Sequence, residues 1–495
     1  MISLIASLPL PQSCSVPAVG LKKCSLFHAG FASLSISLDP LIEVPIASPP
    51  WHLSFPHVSV ALLAAVLFGY HMGVVNAPLQ AISEDLGFSG NALAQGWVVS
   101  TCLFGAFFGC ATSGSIADTF GRRRAFQLST VPMLLGACIS ASASNLNSMI
   151  LGRLLVGVGL GISGPVTALY VTEISPTAVR GTFGSLAQIA NCIGILGALV
   201  MGLPVATIPG WWRKCFWIAT MPAALLAIGM EFCSESPRWL FKSSRLADAE
   251  HEIERLWGAA YVKCALSELI RGEKHEEDEP ATFADLLSDR YRKVVIIGAA
   301  LFAFQQLAGI NAVFYFSSTV FRSAGITSDL VASVSVGVVN LLASIIAACL
   351  MDSQGRRNLL IWSFTGMFIA LAVQAIVGSI SALSSLQKTV SLSGTLMYVL
   401  SFALGVGPVP ALLLPEIFPN RIRAKAMAVS MCVHWVANCF VGLMFLHLLE
   451  RFGAPSLYSF FALVCCMAVL FVRRNVMETK GKSLEEIEAA LLPEK

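Results

Sequence analysis

Between Gln305 and Asn311 an otherwise apolar stretch carries three side-chain amides, QQLAGIN, at i, i+1 and i+6. An amide donates and accepts hydrogen bonds at once, which suits a ligand bearing vicinal hydroxyls. Other apolar runs are interrupted by His71, by Gln188 and Asn191, by Asn340, and by His434, Trp435 and Asn438. An indole face among amides would cover the C–H surface of a neutral polyhydroxylated ring. Taken singly, each such group more commonly bonds one helix to another. The set Gln305, Gln306 and Asn311 is the one expected to hold a ligand. No carboxylate pair or histidine cluster lies at one depth in these runs, so the chain is not read as an enzyme. Fourteen cysteines are scattered without a CxxC pair or a zinc-like spacing. They read as small apolar packing residues, and neither metal, cofactor nor disulfide framework is expected.

A second set of residues is electrostatic, and it occurs twice. GPVTALYVTEISPTAVRG from Gly164 returns 243 positions later as GPVPALLLPEIFPNRIRA from Gly407, with half of the eighteen positions identical. IADTFGRRR and LMDSQGRRN recur at an offset of 234, measured between Asp118 and Asp352. One half therefore holds Asp118, Arg122, Arg123, Glu173 and Arg180, the other Asp352, Arg356, Arg357, Glu416 and Arg423. Charges at helix ends on one face can form ion pairs that hold one access state closed and break in the other, so all ten are gating candidates. Arg153, also a gating candidate, differs because it lies about five residues inside an uncharged run. A central arginine costs roughly 3 kcal/mol or more in lipid, so it should face a cavity or a partner rather than the bilayer.

The elements that must position these groups are membrane helices. Of 495 residues 56% are hydrophobic and 12% charged, with a mean hydropathy of +0.75, outside the range of a soluble domain. Twelve runs long enough to cross a bilayer start near Phe55, Gly96, Ala125, Ser148, Gly181, Lys214, Val294, Asp329, Leu359, Ser391, Ala426 and Phe452. The duplication divides them into six-helix bundles at 55–232 and 294–474, separated by a charged loop at 233–293 that reads as short amphipathic helices. A C-terminal tail, 475–495, should form one surface helix starting at Ser483, with Glu486 three residues on. Short loops after the second, fourth, eighth and tenth spans hold nine basic residues against five opposite, which puts the termini and the central loop on the cytoplasmic-type side. Residues 1–54 are Ser-rich and acid-poor like a transit segment but lack arginine, so targeting segment and plain tail both stay open. A net charge of +3 gives no reason to expect nucleic acid. Gly159, Gly161 and Gly164 match GxGxxG but lie inside a span; Gly157 and Gly161 read instead as a close helix contact.

Both D-x-x-G-R-R loops, GRLLVGVGLG, PTAVRG, SESPRWL, QQLAGINAVFY, LLLPEIFPNRIRA and ETKGKSLEEIE together resemble the sugar porter family of the major facilitator superfamily, over about residues 55–488. GYHMGVVNAP and GPVPALLLPEIFP are most similar to plant plastidic glucose transporters. The resemblance implies an all-α, twelve-helix fold that binds a hexose between its halves near the membrane centre and moves it by alternating access; the chain is expected to work as a monomer in the bilayer. It places sugar contacts on Gln188, Gln305, Gln306, Asn311, Asn340, Trp435 and Asn438. Where relatives often carry a tryptophan in the tenth span, this chain has Ala411, which leaves the sugar preference open. Proton-coupled relatives carry an aspartate, paired with the arginine here numbered 153, at the position of His71. The expectation is a facilitator for glucose in the plastid envelope. A proton symporter, a sensor that has lost transport, and a Golgi or plasma-membrane address remain as alternatives.

Overall fold

In lipid every backbone polar group must be satisfied within the chain, so continuous apolar runs fold as helices. The computed structural model describes residues 49–203, 208–274, 282–326, 328–419, 421–482 and 484–491, all within one compact unit. The targeting question at the N-terminus and the proposed helix start at Ser483 lie outside the described residues.

The first half holds α1 (Trp51–Gly73), short α2 (Leu79–Asp85), α3 (Ala92–Phe120), α4 (Arg122–Ala141), α5 (Leu146–Ile174), α6 (Arg180–Gly202) and α7 (Trp211–Glu231). The loop between the halves forms α8 (Pro237–Lys242), α9 (Leu246–Trp257) and α10 (Val262–Lys274). The second half runs through α11 (Asp289–Leu307), α12 (Ile310–Ser323), α13 (Asp329–Gln354), α14 (Arg356–Ser379), α15 (Ser384–Leu404), α16 (Val409–Ile417) and α17 (Arg423–Asn475), followed by α18 (Leu484–Leu491). Among the described residues ten helical runs are apolar and long enough to cross a membrane. Helix α4, whose first turn is three arginines, adds another pass, and the 53-residue α17 folds back at Gly453 (φ 76°), which makes twelve.

Two spans are broken where the sequence supplies the break. Gly309 (φ 90°) separates α11 from α12, and Gly405 to Pro408 separates α15 from α16. Asn145 and Ser148 form a reciprocal cap at the start of α5, and Asn91 caps α3. The Gly157 and Gly161 pair brings α5 against α3: a Cβ on either would sit 2.0 or 2.2 Å from the carbonyls of Cys102 or Ala106. Helices α14 and α15 form a hairpin joined by a 3₁₀ turn at Ser381–Leu383.

The halves meet through α3 with α17, α6 with α13, and α1 with α12. At α3 and α17, Gly96 lies against the Leu443 carbonyl and Ser100 donates to the Cys439 carbonyl at 3.2 Å. Both residues lie in the third of α3 away from the basic loops. Just beyond α1, Asn76 donates to the Phe314 carbonyl (2.6 Å) and the Ser317 hydroxyl (2.8 Å), and accepts from the Ser318 N–H (3.1 Å). At the opposite, basic end, Arg122 pairs with Asp118 and Glu173, Arg123 with Glu231 and Arg356 with Glu416, each within one half, and Arg421 lies 3.8 Å from Asp285 of the connecting loop.

Candidate substrate-binding site

The break at Gly309 lets one span present its amides from two helices. Gln305 and Gln306 end α11, and Asn311 opens α12. All three are buried, and they form a chain. Gln305 donates to the Val406 (2.7 Å) and Gly407 (3.1 Å) carbonyls at the break before α16, and its own oxygen accepts from Gln306 at 3.1 Å. Asn311 donates to the Gln306 oxygen, and the Gln306 amide nitrogen sits 3.1 Å from His434 Nδ1 on α17. The two broken spans and α17 thus share one polar network.

Beside it, α17 places Trp435 and Asn438 in the interior. The Trp435 ring meets Phe68 of α1 edge-on at 5.9 Å and His434 at 5.1 Å. Asn438 accepts from the Tyr315 hydroxyl at 3.2 Å. Among the described residues Asn438 Nδ2 is a buried donor without a hydrogen-bond partner, the Asn191 side-chain oxygen an acceptor without one, and Trp435 Nε1 has no nitrogen or oxygen acceptor, its neighbour being the Cys110 thiol. Such groups destabilise a closed interior unless a ligand or water meets them. Gln188 and Asn340 belong to a second cluster between α6 and α13, where both amides donate to Cys192 Sγ, at 3.8 and 3.2 Å.

Arg153 is 2% exposed, so it does not reach for the membrane surface. Its Nε donates to the Val98 carbonyl and its Nη2 to the His71 carbonyl, both at 3.2 Å, while Nη1 has no partner. His71 is 1% exposed, and neither ring nitrogen is hydrogen-bonded among the described residues. Among the described residues the arginine therefore has main-chain acceptors and no carboxylate.

The charged ends bring some of the gating candidates into ion pairs and leave others apart. Glu173, with a side chain 5% exposed, receives both Nε (2.8 Å) and Nη2 (3.0 Å) of Arg122, which also reaches Asp118 at 3.2 Å. Arg180, expected to share that network, is exposed and has no ion pair among the described residues. The reason is packing: the end of α5 lies against α3 and α4, whereas Arg180 opens α6, which packs on α1 and α13. In the second half Glu416 receives Arg356 (3.3 Å) and the Thr479 hydroxyl (2.6 Å), and Arg423 donates instead to the Phe418 carbonyl at 3.1 Å. Arg123 reaches Glu231 at 2.9 Å, and Arg357 reaches the Arg473 carbonyl at 2.8 Å. The Asp352 side chain lies outside the described residues.

Two further carboxylates complete these ends. Glu235 accepts from the main-chain N–H groups of Arg122 (3.0 Å), Arg123 (3.1 Å) and Ser236 (2.8 Å), so it caps α4. Glu478 does the same for α14, taking Arg356 (2.9 Å), Arg357 (3.0 Å), Thr479 and Lys480. Each sits over a positive-φ glycine, Gly121 or Gly355, where a Cβ would come within 2.5 or 2.6 Å of the carboxylate. Burial pushes the Glu235 carboxyl above its ordinary range, against the N–H groups that favour its charge. Glu235 and Glu478 are separated by 243 residues, the spacing of Glu173 and Glu416, a signal present in the sequence. Asn76 was also legible there as a lone amide in GVVNAP.

The arrangement matches known proteins. The "Sugar (and other) transporter" family model matches residues 57–491. A probable plastidic glucose transporter 2 of Arabidopsis thaliana is 58% identical over 91% of this chain and 92% of its own length. Plastidic glucose transporter 4 of the same plant is 51% identical over 88% and 80%. Among solved structures, the xylose transporter XylE from E. coli in a partially occluded inward-open conformation superposes with a TM-score of 0.77 at 26% identity, covering 87% of this chain and all of that one. The major facilitator proton:xylose symporter XylE bound to 6-bromo-6-deoxy-D-glucose gives 0.76 at 28%, covering 89% and 99%. With this fold, this polar interior and a family match across nearly all of the membrane-embedded chain, the protein belongs to the sugar (and other) transporter family and has the major facilitator fold.

Proposed function

We propose that the chain carries glucose, or a hexose very similar to it, across the plastid envelope by facilitated diffusion, working as a monomer. Residues 55–232 and 294–474 would move as two bundles around a sugar held by Gln305, Gln306, Asn311, Trp435 and Asn438, with Gln188 and Asn340 closing on it from α6 and α13. The observation that carries this reading is the amide chain across the breaks of α11/α12 and α15/α16, because it ties ligand-binding groups to segments that can bend. The halves are joined at the face opposite the basic loops, which fits a state whose site is reached from the basic side. Sugar hydroxyls would satisfy the unpartnered Asn438 donor, give the Trp435 N–H an oxygen acceptor and lower the energy of the closing state. Within each half, Arg122 with Glu173 and Arg356 with Glu416 would keep helix ends rigid as the bundles rock, and Asp118, Arg123, Arg180, Asp352, Arg357 and Arg423 would tune that edge.

Passive transport is supported by the setting of Arg153. A proton-coupling site needs an acid that alternates between charged and neutral, and the arginine here faces carbonyls and His71 instead. The test is uptake of labelled D-glucose into sealed liposomes with and without a proton gradient. Saturable equilibration indifferent to the gradient is expected. Uphill accumulation driven by protons, abolished in His71→Ala, would establish a symporter, and binding without uptake would establish a sensor. A fluorescent reporter fused to residues 1–54 should reach plastids if that segment carries the address.

A further inference from the structure

Helices α6 and α13 meet through two side-chain pairs, each spaced by one helical turn: Gln188 and Cys192 on α6, Asn340 and Ser344 on α13. Cys192 is fully buried and lies at their centre. Its sulfur accepts from Asn340 Nδ2 at 3.2 Å and from Gln188 Nε2 at 3.8 Å, and lies 3.2 Å from Ser344 Oγ. One thiol thus engages amides from both halves of the protein. One turn further on, Gly337 sits against Leu196 and Leu199, so the helices are close at this level.

We infer that Cys192 is a specificity-setting and positioning residue that stands in for a sugar hydroxyl: in the unliganded state its sulfur occupies the amide donors of Gln188 and Asn340, and the sugar takes them over. This rests on the proposed sugar-contact role of those two amides. Sulfur is a weak acceptor, so it keeps the donors oriented and satisfied without holding them strongly against an incoming hydroxyl. An alcohol oxygen here would compete harder, and a methyl would not compete at all. The thiol thereby sets apparent affinity, because each donor released to the sugar must first leave sulfur.

The experiment is glucose uptake into liposomes by the native protein and by Cys192→Ala and Cys192→Ser, with KM and kcat measured separately. Removing the competitor should lower KM about threefold in Cys192→Ala, while serine should return KM to the native value or above it. The turnover number should change by less than KM in both variants. An unchanged or raised KM in Cys192→Ala, with native-like turnover, overturns the inference. Gln188→Ala and Asn340→Ala serve as references: if they leave KM unaltered, the assignment of the amides as sugar contacts fails first. If they raise KM and Cys192→Ala does not lower it, the thiol alone is misassigned. Should either cysteine variant fold poorly, the infrared difference spectrum of the native protein with and without glucose decides the matter. The S–H band missing from whichever of the two cysteine variants folds should shift on binding in the native protein, and a band that glucose leaves in place refutes the exchange of partners.

Discussion

Gly96 lets the main chains of the two halves approach each other, and substituting it should change the state of the protein rather than its fold. A Cβ at position 96 would lie 2.3 Å from the Leu443 carbonyl oxygen and 3.1 Å from its carbon, on a helix of the other half. An ordinary carbon–oxygen contact is about 3.4 Å, so α3 and α17 would have to part by about 1 Å at that level. Overpacking of this size costs about 1 to 3 kcal/mol. The cost falls on the conformation closed at the face opposite the basic loops and spares the one open there, so the equilibrium between them should move about 5- to 150-fold. Cys439, whose sulfur lies 3.7 Å from the Ser100 carbonyl in the same contact, reports the change. In proteoliposomes, a membrane-impermeant maleimide applied from that face should label Cys439 at least about fivefold faster in Gly96→Ala, scored by peptide mass spectrometry. Turnover should fall, because one half of the cycle becomes uphill. Gly157→Ala is the control: its Cβ would meet the Cys102 carbonyl within one half, so thermal stability should drop while Cys439 labelling stays as in the native protein. Equal labelling in native and Gly96→Ala protein would refute the reasoning.

Asn76→Ala removes the hydrogen bonds that the Asn76 amide makes across the halves at the same face and should raise Cys439 labelling in the same direction as Gly96→Ala; unaltered labelling would show that Asn76 is not part of the closure. Gln306→Ala cuts the amide chain at its centre and should raise KM for glucose about tenfold with a smaller change in turnover, measured in liposomes. Arg122→Ala leaves the Glu173 carboxylate buried and uncompensated, at about 3 to 5 kcal/mol, whereas Arg122→Met with Glu173→Leu should recover most of the lost thermal stability; a double variant no better than the single one contradicts this. Because burial raises the Glu235 carboxyl above its ordinary value, the folded state binds that proton more tightly than the unfolded chain. Its contribution is present below about pH 4.5 and is lost as pH rises through the folded value, and Glu235→Gln should flatten that part of the stability profile in detergent.

Apolar runs and turn residues were enough to place the spans, because lipid leaves helix as the only open-ended solution and Gly-rich breaks announce themselves. The apolar run expected to start near Asp329 begins α13 there, and the last expected start, near Phe452, coincides with Gly453, where α17 folds back. Residue types also pointed to the polar interior, since an amide in an apolar run has few inexpensive places to go. What could not be read was partnership. Glu173 and Arg180 are neighbours in the chain, yet Glu173 binds Arg122, fifty-one residues away, because the end of α5 packs on α4. Cys192 read as apolar filler because one cysteine carries no pattern; its meaning comes from Gln188 and Asn340 arriving from separate helices. Glu235 and Glu478 do repeat at the spacing of Glu173 and Glu416, but each lies outside the two stretches whose likeness is obvious.

The two halves are not of equal height. Their spacing grows from 234 at Asp118 and Asp352 to 243 at Glu173 and Glu416, so nine residues enter between those points in the second half. Helix α14 has 24 residues where α4 has 20, and α15 begins five positions before the counterpart of Leu146, which accounts for all nine. The α14/α15 hairpin is therefore about one turn taller on each arm, roughly 6 to 8 Å at 1.5 Å per residue. Residues 384–389 on its rising arm are solvent-accessible. That ledge belongs to one end of the molecule alone and lies apart from the amides and the charged caps. A protease-cleavable peptide or epitope grafted there would tell right-side-out from inverted molecules in a reconstituted vesicle, and so let the two directions of flux be measured separately.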